Sequence, residues 1–228
     1  MTNTNSPAKR VMYIAAGVAL VAGAVSFFAG LATSPPQADD SKATYLRSLA
    51  EDPFTTQLSA LLLHYGNLLM GAGLLAVPLL VRGRRGAVLT AVGALLGALG
   101  LIEMSGALLS DWFHMELGRN LPVDQAVAIS DKVLAHPAQQ LAFTPGPLVS
   151  LALVLTFVGL ARAGVVGWWT VPAVVLGYVG LLFMPYDTPI LPAVGTLPML
   201  AAVAFAGRRV LGRASVPAPD YAATTLAS

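Results

Sequence analysis

Six uncharged, apolar runs set the limits on what this chain can fold into. They cover residues 11–32, 58–81, 86–110, 141–161, 163–186 and 188–207, and only Glu103 interrupts the third. A helix needs about 20 apolar residues to cross the hydrocarbon core of a bilayer. In lipid the backbone N–H and C=O groups must be satisfied inside the structure, which favours an α-helix for each run. The predicted fold is all-α: a polytopic membrane protein with six transmembrane helices in a bundle. Charged residues make up 11% of the chain, under half of the roughly 25% usual in soluble domains. Much of its surface must therefore face something other than water.

The charges orient the runs. Of thirteen Lys and Arg, nine fall on one side: Lys9, Arg10, Arg82, Arg84, Arg85, Arg162, Arg208, Arg209 and Arg213. The opposite connections hold Lys42, Arg47, Arg119 and Lys132, together with nine of the eleven acidic residues. Basic loops stay in the cytoplasm, so both termini are predicted to be cytoplasmic. The expected location is the plasma membrane, and the preference for Arg over Lys in an Ala, Gly, Val and Leu background fits a bacterial chain. The net charge of +2 comes from residues at span ends, so it marks topology and not a nucleic-acid surface. The expected partners are the lipid bilayer and another membrane protein. The first run also resembles a signal peptide, with a basic start and small residues at Gly30 and Ala32. A signal core is about 7–15 residues long, whereas this run has 22.

Residues 1–10 read as a cytoplasmic N-terminus, 11–210 as the membrane domain and 211–228 as a disordered tail of small and polar residues. Two outer connections are long. In the first, Tyr45, Leu46 and Leu49 recur at helical spacing, which predicts a short helix on the membrane surface. In the second, Pro122 suits a first helical position and Pro137 a stop, so residues 121–136 are predicted to form an amphipathic lid helix. Val123, Val127, Ser130 and Leu134 follow one face of it, and its end returns His136 to the fourth run. A tight turn is expected over residues 185–189, between the last two runs.

The chain has no cysteine. That excludes disulfides, thiolate metal sites and cysteine nucleophiles. The common nucleotide-binding and hydrolase motifs are absent too. His64 and Glu103 each lie seven residues from the outer end of adjacent antiparallel runs, about 10 Å deep at 1.5 Å per residue. They are candidates for a hydrogen-bonded pair that relays a proton or binds a ligand; the same pair could equally serve only to fix helix packing. Asp111 and His114 stand at i,i+3 near the outer surface, and the lid brings His136 toward them. These three are candidate ligands for a divalent metal, with zinc, iron or manganese suited to such donors. Carboxylates and histidines at a span end are also ordinary wetted interface groups. Gly93, Gly97 and Gly100 share a face that lets a neighbouring helix approach closely. Three functions fit this pattern: a membrane protein whose outer-face polar site binds a metal or relays a proton, a small transporter gated by His64 and Glu103, and a non-catalytic accessory subunit. Whether it is an enzyme is left open by the sequence.

Overall fold

The structure, a computed structural model, describes residues 6–142 and 145–214. The described chain is helical, with no strand. In order the helices are α1 (Pro7–Ala32), α2 (Lys42–Glu51), α3 (Pro53–Leu74), α4 (Ala87–Leu108), α5 (Ser110–Asn120), α6 (Val123–Leu134), α7 (Pro137–Ala142), α8 (Pro145–Arg162), α9 (Thr170–Phe183) and α10 (Ile190–Ala214). A 3₁₀ turn, Val77–Leu80, follows α3. Three helices are long and apolar enough to cross a membrane: α1, α10, and α4 continued into α5 as Ala87–Asn120.

Local chemistry explains most of the boundaries. Ser6 caps α1 through Lys9 N, Ser41 caps α2 through Thr44 N, and Asp52 caps α3 through Thr55 N. Each side-chain oxygen satisfies one of the amides that a helix leaves unpaired at its start. The Asp52-Pro53 start puts the first turn of α3 five residues ahead of the apolar run that begins at Leu58. Gly86 opens α4 at φ +74°, a left-handed conformation that costs glycine little. A Cβ there would also lie 2.0 Å from the Gly159 carbonyl oxygen.

Two expected lengths are corrected. The apolar run 163–186 yields a helix only from Thr170 to Phe183. Arg162 ends α8, Gly164 turns at φ +69°, and residues 163–169 are spent on that turn. Residues 211–214, assigned to the tail, are helical, because α10 continues through Arg213 to Ala214. The expectation for residues 215–228 lies outside the described residues.

Packing follows a circuit. α1 lies against α3 and α10, α3 against α4, α4 against α8, α8 against α9, and α9 against α10. The inward faces bury Leu20, Leu74, Phe157, Leu160, Val174 and Val203 almost completely. Burying such a side chain is worth about 1.5–3 kcal/mol in water. The outward faces are also apolar: Leu95 is 52% exposed, Leu99 54% and Leu176 58%. Neighbouring backbones come very close where the circuit crosses on small residues. A Cβ on Gly93 would lie 2.6 Å from Thr156 N, and one on Gly180 would lie 2.4 Å from Gly195 O. Gly97 is looser, its nearest neighbour being 3.3 Å away, and Gly100 is buried.

α2, α5 and α6 form a separate cover. α2 packs on α5 and α6, and its buried side chains are Leu46, Ser48 and Leu49. Gly118 permits the α2–α5 contact, since a Cβ there would lie 2.5 Å from Leu46 O. An ion pair between Lys42 and Asp131 joins α2 to α6.

Candidate ligand chamber and its outer cover

The circuit of helices surrounds a cavity of about 620 Å³. Its walls are mainly apolar, with Phe27, Met70, Leu101, Leu153, Met199 and Val203 drawn from five helices. A few polar groups interrupt them. Asn67 and Tyr178 line the cavity from α3 and α9, and Tyr45 and Asp111 line it from the cover. Asn67 is 3% exposed and donates through Nδ2 to Leu63 O at 2.9 Å, within its own helix.

Helix geometry positions the polar end. α4 stops at Leu108, one residue is irregular, and α5 resumes at Ser110. A continuous helix from Ala87 to Asn120 would be about 51 Å long at 1.5 Å per residue, well over the 30 Å hydrocarbon core. After that break α5 carries Asp111 and His114 onto α2. Tyr45 donates its hydroxyl to the Asp111 carboxylate. The Tyr45 ring also meets the His114 ring edge-on at 5.6 Å. His114 Nε2 lies 3.1 Å from Ser130 Oγ of α6, while its Nδ1 is buried without a hydrogen-bond partner among the described residues. One tyrosine thus contacts both members of the D-x-x-H pair.

Burial pushes the Asp111 carboxyl up to about 6, and the hydrogen bond from Tyr45 restrains that rise. Burial, followed by the coulombic effect of Asp111 and the bond to it, raises the Tyr45 phenol. Burial lowers His114; the Ser110 carbonyl opposes the change and the charge of Lys42 adds to it. Desolvation thus favours the neutral form of all three groups.

His64 turns to a residue not named among the candidates. Its Nδ1 lies 2.8 Å from Ser105 Oγ and 2.9 Å from Ser105 O. The nitrogen can accept from the hydroxyl or, in the other tautomer, donate to the carbonyl. No hydrogen bond or ion pair joins His64 to Glu103 among the described residues. Two positions along a helix are 200° of rotation, so with Ser105 facing α3, Glu103 points to nearly the opposite side of α4. Equal depth brought the right turns together but not the right faces.

The structure gives the metal set no support. Among the described residues no group of three or more His, Asp, Glu or Cys is placed to hold a metal ion. His136 lies beyond the end of α6, exposed, beside Lys132, Val133 and Gln139. The lid helix itself forms over Val123–Leu134, close to the expected span. Its buried positions are Ala126 and Ser130, whereas Leu134 is 37% exposed and faces outward. Tyr45, Ser105 and Lys42 were missed as partners because each comes from an element far away in sequence. Only Tyr45 gave a signal, as part of the apolar face of α2.

Comparison with protein-family models, curated proteins and solved structures finds no match to the chain.

Proposed function

We propose that this is a six-span plasma-membrane protein, both termini cytoplasmic, that holds a small amphipathic amine in its central chamber. Such binding would serve a small transporter, with Tyr45 and Asp111 as its proton-sensitive outer cover. The spans are α1, α3, α4, α8, α9 and α10. Their closed packing circuit, apolar outward faces and basic ends support that count and orientation. The shorter α9 crosses with the help of the turns at its two ends.

The observation that carries the reading is the chamber itself: about 620 Å³, mostly apolar, with Asp111 as the ionisable carboxyl in its lining. Binding sites for small molecules commonly have 300–1,000 Å³ and a few convergent polar groups in an apolar wall. An ionised Asp111 would pair with a cationic head, while the walls take the apolar body. A protonated Asp111 would keep only its bond to Tyr45 and leave the cover shut. The proton function expected on the outer face is thus assigned to Asp111.

The test compares a hydrophobic amine with the alcohol of equal chain length, by thermal unfolding of the detergent-purified protein at pH 8. The amine should raise the midpoint in a saturable way, the alcohol should not, and Asp111→Asn should remove the difference. Equal shifts from amine and alcohol, or none from either, would refute the reading.

A further inference from the structure

The basic end of the molecule holds a second cavity, of about 780 Å³. Arg82 lines it from beyond the 3₁₀ turn, and Arg208, Arg209 and Arg213 line it from the last turns of α10. No acidic side chain does so among the described residues. The described segments around it, residues 6–10, 80–87, 162–170 and 207–214, contain no Asp or Glu at all. Arg213 donates to Leu80 O at 3.0 Å and ties α10 to the 3₁₀ turn, so it serves here as wall. Arg209 stacks over the Phe205 ring, 5.1 Å from its centroid. Stacking uses the face of the guanidinium and leaves its N–H edge for an acceptor.

The cavity is also open to close approach. Gly83, Gly164 and Gly212 line it, and a Cβ on any of them would meet nothing within 4 Å. Phe205 and Val165 supply an apolar wall beside the arginines. Guanidinium groups match the oxygens of a phosphate with paired hydrogen bonds, which a diffuse cloud of small ions does not reproduce.

We propose that this cavity binds a phosphate-bearing ligand, its phosphate held by Arg82, Arg208 and Arg209 and its organic part resting on Phe205 and Val165. An anionic phospholipid headgroup and a soluble phosphate ester share that chemistry. Basic pockets between membrane helices are a recognised setting for the first.

The full-length protein, purified in detergent, would be examined by native mass spectrometry with equimolar phosphatidylglycerol and phosphatidylcholine, and separately with inorganic pyrophosphate. The expected result is retention of phosphatidylglycerol over phosphatidylcholine by about tenfold, the size of one charge-assisted pair. The double variant Arg82→Gln/Arg208→Gln should bring the ratio close to one. Gly212→Leu should do the same by filling the cavity from a position with free space, with the thermal midpoint unchanged. Pyrophosphate binding that these variants abolish, without a lipid preference, would assign the site to a soluble ester. Absence of both lipid preference and pyrophosphate binding would overturn the proposal. So would a preference that survives in both variants.

Discussion

Tyr45 and Asp111, 66 positions apart in sequence, meet at one end of the chamber through a hydrogen bond from phenol to carboxylate. The bond forms in a buried setting that favours the protonated acid, with the carboxyl raised from 3.8 to about 6. The folded state therefore binds this proton more tightly than the unfolded chain does. Its contribution to stability is greatest below pH 4, falls as pH rises from 4 to 6, and is level above. Asp111→Asn should remove that slope and raise stability at pH 7 by up to about 3 kcal/mol. Thermal midpoints across pH 4–8 would measure it; a slope that persists in the variant would place the titrating group elsewhere.

Gly93 and Gly97 are both on the face of α4 that packs inward, but they differ in room. Gly93→Ala drives a methyl into the Thr156 backbone and should cost about 1–3 kcal/mol. Gly97→Ala meets its nearest atom at 3.3 Å, from a Leu74 side chain, and should cost far less. Gly106→Ala, which meets nothing within 4 Å, should be neutral or slightly stabilising. Equal losses at 93 and 106 in detergent unfolding would contradict the described α4–α8 contact.

His64 and Ser105 should behave as a coupled pair. A double-mutant cycle of His64→Ala with Ser105→Ala should show about 0.5–1.5 kcal/mol of interaction. His64→Ala with Glu103→Gln should be additive within about 0.5 kcal/mol. Strong coupling in the second cycle would return Glu103 to the side of His64.

The absence of native cysteine makes labelling clean. Asp40→Cys and Gln125→Cys, both at exposed positions, should react with an impermeant maleimide on intact cells, and Gly83→Cys should react only after permeabilisation. Ser41 is the poorer choice, because its hydroxyl caps α2. Labelling of Gly83→Cys from outside would reverse the proposed orientation.

The helical class and the helices at Lys42–Glu51 and Val123–Leu134 were legible, because each depends on local periodicity. α9 was overestimated, since a hydropathy run does not register that Gly164 and Gly167 turn the chain inside it. The pairing of His64 with Glu103 rested on depth alone. Depth follows from counting residues, whereas rotation about the axis depends on which neighbour packs where, and that is tertiary information. Asp111 and His114 were identified, but their contacts with Tyr45 and Ser130 depend on how α2 and α6 fold over α5. No spacing within one helix encodes that.

The crossing of α9 and α10 has an evolutionary consequence. At Gly180 and Gly195 two main chains touch with no side chain between them, so any replacement at one site collides with the backbone of the other. A compensating change at the partner cannot relieve that collision, because the partner has nothing left to remove. Lineages descending from this chain can exchange Leu95, Leu99 or Leu176 among apolar residues, since about half of each side chain is free of contacts. They will keep glycine at 180 and 195 together, or they will lose the crossing.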